Sequence, residues 1–269
     1  MRTLYEIFYW NIKQFPIVWA LTRTELRKEL HDGALGWFWM IAKPIIYVGV
    51  FSLAMIVGFK QGKGTVDTMP YILWLGAGII PWFFMQRMIT SGVRSIKQQR
   101  KLMQRGLLHP VCLTGVVALP EFLTLAIGFC VNFIICVIYL HAPTIHWLML
   151  PLLFVGMYVF FNIVALTTSM IATVFPDMIS ICKFLSTPLF WLSGILFNID
   201  NMHSHVISWV LAFNPVTFFD EAIRDCFEGQ WFFLDKRADL GFLVVLVATV
   251  LVCVYFCHHL RAEVRDVEV

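Results

Sequence analysis

The sequence predicts an all-α integral membrane protein with six membrane-crossing helices, on three observations. Of its 269 residues, 59% are hydrophobic and only 14% are charged, and the mean hydropathy is +0.78. A soluble domain of this length needs far more charge to cover its surface. The apolar residues also fall into runs of about 20, the length that crosses a hydrocarbon core about 30 Å thick. Finally, Lys and Arg gather in alternate connecting segments. Inside lipid the backbone has no water to bond, so each run is expected to be helical.

Residues 1–36 are assigned to the cytoplasmic surface. Leu4, Ile7 and Phe8, with Trp10 and Ile12 nearby, form an apolar flank opposite Glu6, Asn11 and Lys13. Pro16 then breaks or kinks the chain. A second stretch is apolar from Ile17 to Leu21 and charged through Arg23, Glu25, Arg27, Lys28 and Glu29, with Leu26 and Leu30 on one helical face. Both pieces have the character of interfacial helices lying on the cytoplasmic leaflet. They serve either as simple anchors or as docking elements.

The expected spans are Trp37–Phe59, Tyr71–Ile89, Phe122–Leu140, Trp147–Val174, Met178–Phe197 and Leu240–Cys257, and residues 258–269 form a tail. Lys183, Pro188 and Gly194 interrupt the fifth; Lys183 lies near enough to Pro176-Asp177 for its ammonium to snorkel to the headgroups.

Orientation follows from the basic residues. Arg2, Lys13, Arg23, Arg27 and Lys28 precede span one, and Arg94, Lys97, Arg100, Lys101 and Arg105 lie between spans two and three, with Arg87 at the edge. The loop after span one has only Lys60 and Lys63, and the loop after span three has neither Lys nor Arg. The loop at 198–239 sets Arg224, Lys236 and Arg237 against Asp200, Asp220, Glu221, Asp225, Glu228, Asp235 and Asp239. Both termini are therefore expected in the cytoplasm. The net charge of +3 reflects this asymmetry and not a nucleic-acid surface.

Two connecting segments stand out. Ser95–Leu108 is short, basic and amphipathic, with Ile96, Leu102 and Met103 beside its cations; it is either a solvated loop or a helix that plugs into a partner. The 198–239 loop is too long for a turn and too apolar for water, with Trp209, Phe213, Phe218, Phe219, Phe227 and Trp231. Asn214-Pro215 divides it, which suggests two short helices, Val206–Phe213 and Phe218–Phe227, dipping into the outer leaflet. They form a gate or a packing cap.

Chemistry-bearing patterns are sparse. The seven cysteines offer no Cys-x-x-Cys spacing, and Cys226 alone falls in an external loop. His203-x-His205 lacks the further ligands of a metal site. There is no H-E-x-x-H or G-x-S-x-G, and all eight His lie at span ends or in loops, which disfavours a membrane-embedded enzyme. No internal repeat favours a secondary transporter. Residues Gly58 to Gly64 imitate a phosphate-binding loop, but three residues separate Gly58 from Gly62 and Gly64 follows Lys63. No cleavable leader is expected in the first 35 residues.

Four motifs resemble the membrane subunits of type-2 ABC exporters, in particular the polysaccharide and teichoic-acid export permeases. Leu35-Gly36, Trp39 and Pro44 resemble the approach to that family's first span. Gly78-Ile79-Ile80-Pro81-Trp82 resembles its second-span motif, Phe175-Pro176-Asp177 its step before span five, and Asn214-Pro215 with Glu221 and Arg224-Asp225 its last external segment. Lys43, just before Pro44, is a departure.

The resemblance implies a homodimeric permease of the bacterial cytoplasmic membrane working with two separate ATPase subunits. ATP and Mg would bind to those subunits, and no cofactor to this chain. The cargo would be a lipid-linked polysaccharide (an O-antigen, teichoic acid or capsule-like glycan), with a drug or small lipid as the alternative. Arg94, Lys97, Arg100, Lys101 and Arg105 would sit on a coupling helix, and Arg23, Arg27 and Lys28 on an interface helix. Asn214, Pro215, Glu221, Arg224 and Asp225 would belong to an external gate. Trp39, Tyr47, Trp82, Phe190 and Trp191 fall in spans; facing a groove between subunits, their rings would suit sugars, and otherwise they face lipid or pack.

Overall fold

The computed structural model describes residues 9–31, 36–58, 65–66, 69–140, 145–197, 205–231 and 237–266. Arg2, Leu4, Glu6, Ile7, Phe8, Leu35, Lys60, Lys63, Asp200, His203, Asp235 and Lys236 lie outside the described residues, as do parts of the Gly58–Gly64 stretch and of the 198–239 segment.

Residues 9–13 are helical, Gln14 makes a turn, and α1 follows at Phe15–His31. Pro16 sits in the first turn of α1, where its missing N–H interrupts no helical bond. Val18 and Thr22 are buried, whereas Arg23, Arg27 and Lys28 are exposed. One face of α1 therefore packs on protein and the other carries charge.

Helix α2, Gly36–Leu53, continues into a π-helical turn at Ala54–Gly58. Strands β1 (Thr65–Val66) and β2 (Met69–Pro70) pair antiparallel and lead into α3, Tyr71–Thr90. Next come a 3-10 turn at Gly92–Arg94, α4 at Ser95–Gln98 and α5 at Arg100–Gln104. Helix α6 spans Leu113–Leu140 and α7 Leu150–Val174, each preceded by a 3-10 turn. Helix α8 is Met178–Trp191, α9 is His205–Ala212, α10 is Pro215–Glu228 and α11 is Arg237–Asp266.

Among the described residues, four helical stretches are long and apolar enough to cross a membrane: Tyr71–Gln104, Pro110–Tyr139, Ile145–Val174 and Ala238–His258. Ala42–Val57 and Met178–Trp191 are shorter apolar helices. The fifth expected span is thus cut short. Its helix ends at Trp191, and Gly194 takes a left-handed φ of 74° that turns the chain.

Helix α3 is the hub, packed against α2, α6, α7, α8 and α10. It is buried on nearly every side, whereas α6, α7 and α11 leave much apolar surface exposed. A helix apolar all round is stable when buried in protein or bathed in lipid, and both cases occur here. A second apolar cluster gathers where the basic segment lies, joining Val18, Ile96, Met103, Leu108, Leu166, Met170 and Cys257.

That cluster corrects the expectation of one coupling helix over Ser95–Leu108. The segment is two short helical pieces broken at Gln99, whose φ of −96° and ψ of 13° leave the helical range, and Gly106 ends it with a φ of 65°. Ile96 and Met103 turn into the chain's own bundle instead of toward a partner.

Candidate functional site

The four site regions named from sequence fall into distinct structural settings. The most constrained is the start of α10. Asn214 caps it, its Oδ1 accepting from the Val216 N–H at 3.0 Å, while Pro215 takes the first helical position. The Asn214 Nδ2 donates to the carbonyls of Leu189 and Leu192 at 2.8 and 2.7 Å. One amide therefore joins the frayed end of α8 to the beginning of α10, satisfying carbonyls the helix end leaves orphaned.

Two turns further on, Arg224 and Asp220 form an ion pair at 2.6 Å, both almost fully buried. The Arg224 guanidinium also donates to Trp74 O at 3.3 Å, Gly194 O at 3.2 Å and Ile195 O at 3.0 Å. Nearby, Tyr71 donates its hydroxyl to Leu196 O at 3.0 Å. The irregular chain after α8 is thus bonded from two sides, by α3 and by α10. Burial pushes the Asp220 carboxyl up to about 6, with Arg224 pulling it down.

Gly78 makes room for this knot. A Cβ there would collide with Asp220 Oδ1 and stand 2.9 Å from Arg224 Nη2. This supplies a physical reason for the glycine in the Gly78–Trp82 motif.

Placing gate residues at an exit surface does not fit Arg224 or Asp225 within the subunit, since both are buried. Glu221 is half-buried. Asp220, the partner that fixes Arg224, is absent from the gate residues that the sequence motif names. An acid four residues before a base on an apolar helix was the available signal.

The aromatic candidates separate into two sets. Trp39, Tyr47 and Trp191 are about half exposed, whereas Trp82 is buried in the subunit and so does not line its surface. Phe190 bridges the sets, its ring centre 5.4 Å from Trp82, 5.6 Å from Phe51 and 5.8 Å from Trp191. Tyr47 meets Phe83 edge-on at 5.1 Å. Helices α2 and α8 therefore flank α3 with exposed aromatics on both. Lys43 and Lys183 are exposed on these same helices.

In the basic segment, Lys97, Arg100, Lys101 and Arg105 are exposed, as is Leu107, while Arg94 is half-buried. The cations project from a platform anchored by Ile96 and Met103. Near this end, Glu121 pairs with Arg87 at 3.3 Å and ties α6 to α3. Cys226 is fully buried, and burial pushes its thiol up to about 12. Among the described residues, no group of three or more His, Cys, Asp or Glu is placed to hold a metal.

Long apolar helices around a buried hub, with apolar surface turned outward, define a multi-pass helical membrane protein. Residues 17–227 match the ABC-2 type transporter family, and the chain belongs to it. It is also similar to proteins described as O-antigen export system permease protein RfbA. One from Klebsiella pneumoniae is 22% identical over 222 residues, covering 79% of this chain and 80% of the relative. One from Myxococcus xanthus is 20% identical, covering 73% and 74%. A second from Klebsiella pneumoniae is 21% identical, covering 75% and 76%.

Proposed function

We propose that this chain is the permease subunit of an ATP-driven exporter that moves a lipid-linked glycan outward across the bacterial cytoplasmic membrane. The observation that carries this reading is the similarity to O-antigen export permeases along 73% to 79% of the chain. In this reading α2 and α8 join the four longer helices as spans, which makes six, with both termini cytoplasmic. Segments 1–36 and 258–269 flank the bundle on that side, and 198–239 forms the external cap.

Two copies of the chain work with two ATPase subunits, which bind ATP and Mg. The physical support for a dimer is room. One bundle packed around a buried α3 leaves little room for a glycan among the described residues, whereas Trp39, Tyr47 and Trp191 give α2 and α8 a half-exposed aromatic face. Apposing two such faces lines a groove with flat rings, on which the C–H faces of sugars slide without strong fixed contacts. Lys97, Arg100, Lys101 and Arg105 dock on the ATPase as exposed cations, and Arg23, Arg27 and Lys28 face the headgroups.

Reconstitution tests the reading. Permease and its ATPase in proteoliposomes should move an undecaprenyl-linked glycan to the far leaflet only with ATP. Stimulation of ATP hydrolysis by a hydrophobic drug or short-chain lipid, and not by the glycan, would move the cargo to that other class.

A further inference from the structure

The N-terminal helix turns one face to protein at every fourth residue. Trp10 and Gln14 are half-buried and Val18 and Thr22 are buried, while Phe15, Trp19, Arg23 and Arg27 are exposed. A spacing of four keeps the first set on one side of a helix. Phe15 and Trp19 stack on the exposed side, where an interfacial helix meets lipid. A simple anchor needs only that side.

The inner side meets His109, which lies where the basic segment ends and the 3-10 turn into α6 begins. The backbone of His109 is extended, with φ −69° and ψ 142°, so no helix supplies an acceptor for its N–H. Gln14 supplies one, its Oε1 accepting from the His109 N–H at 2.8 Å. The Trp10 ring lies flat on the His109 imidazole, with ring centres 4.7 Å apart and planes 3° from parallel. The imidazole is held in turn, because its Nδ1 accepts from the Val111 N–H at 3.4 Å. Tyr9 meets Trp10 edge-on at 5.6 Å, and the Lys13 ammonium lies 4.9 Å from the indole centre. Further along the same face, Val18 joins Ile96, Met103 and Leu108 in one apolar cluster.

The exposed cations Lys97, Arg100, Lys101 and Arg105 stand on two short helical pieces broken at Gln99. Helices this short have little stability of their own, so what they pack against sets their orientation. The apolar cluster holds their underside, and the Trp10–His109–Gln14 contact holds the end of the segment. A load applied at the cations passes to the N-terminal helix through these two holds.

We propose that Trp10 and Gln14 are positioning residues for the coupling of ATP hydrolysis to export, clamping the end of the basic segment to the N-terminal helix through His109. The clamp makes residues 9–31 and the basic segment one mechanical unit, so the helix positions the coupling surface as well as anchoring the chain. The inference rests on the reading that Lys97, Arg100, Lys101 and Arg105 dock on the ATPase, and not on the identity of the cargo.

The test reconstitutes the complete transporter in proteoliposomes of phosphatidylethanolamine and phosphatidylglycerol and compares its ATP turnover with that of the free ATPase subunit. Trp10→Ala and Gln14→Met should each lower the permease-dependent kcat about threefold or more, the scale of one aromatic pair or one hydrogen bond, with the KM for ATP unchanged. Trp10→Phe keeps a stacking ring and Gln14→Glu keeps an acceptor, so both should recover most of the rate. Hydrogen exchange at the amides of 105–109 should quicken in the first two variants and not in the second two. Normal turnover in Trp10→Ala and Gln14→Met, where Arg100→Glu with Lys101→Glu abolishes the permease-dependent rate, would overturn the clamp alone. A normal rate in that charge-reversed protein would remove the docking reading and the clamp with it. Equal losses in Trp10→Ala and Trp10→Phe that follow thermal stability would also overturn the proposal, reducing Trp10 to packing.

Discussion

Arg224 on α10 stacks over Trp74 on α3, the guanidinium carbon 3.3 Å from the ring centre. A cation over an indole gains most when desolvated, and here the same side chain also holds Asp220 and three carbonyls. The contact makes α10 a wedge whose position α3 and the chain after α8 together determine.

Removing one member of the ion pair should therefore be far worse than removing both. Arg224→Met leaves a buried uncompensated Asp220 and should cost about 3–5 kcal/mol, while Asp220→Leu with Arg224→Met should recover much of that loss. Thermal unfolding of the purified permease in nanodiscs measures both. A double variant as unstable as the single would place the stabilisation in the carbonyl bonds instead.

Gly78→Ala should destabilise by about 1–3 kcal/mol, because its methyl displaces a packed charged pair and not a flexible chain end. Combining it with Asp220→Ala should relieve part of that strain. Simple additivity of the two changes would place the strain elsewhere.

How much of this was legible in sequence depended on range. Long apolar runs gave the four longest helices, and Asn214-Pro215 marked the boundary between α9 and α10, because those signals are local. The break at Gln99 had no local signal, because Gln is a good helix former and Ile96 and Met103, i and i+7, keep to one face of an unbroken helix. The resemblance assigns Arg224 and Asp225 to an external gate, but their burial depends on contacts with α3 and the chain after α8 that no local pattern shows. Only the fold reveals that Gly78, on a helix far earlier in the chain, opens the space that Arg224 and Asp220 fill.

Cys226 should resist an impermeant maleimide in intact cells. It is fully buried, and a thiol raised to about 12 offers almost no thiolate at neutral pH. Labelling should appear only after denaturation. Rapid modification in the native protein would show that α10 leaves its seat on α3.

Arg100→Glu with Lys101→Glu should uncouple export from ATP hydrolysis without unfolding the permease, since both side chains are exposed and the anchoring Ile96 and Met103 remain. Surface charge reversals away from packed sites change stability by about 0.5 kcal/mol or less. The readouts are co-purification of the ATPase and glycan-stimulated hydrolysis. Normal values for both would remove this segment from the coupling surface.

Tyr47→Ala with Trp191→Ala tests the aromatic groove. Both rings are about half exposed, on α2 and α8, so truncation opens no core cavity beneath them. Export of the glycan should fall by about tenfold or more, on the scale of 1–3 kcal/mol for each lost ring stack, if sugar stacking resembles that of nucleobases. Assembly with the ATPase and basal hydrolysis should be retained. Trp82→Phe serves as the contrast: its ring is buried under Phe190 and should affect stability before it affects transport. Equal export in the double variant and the parent, or photocrosslinks from position 47 that reach only lipid, would take the path away from α2 and α8.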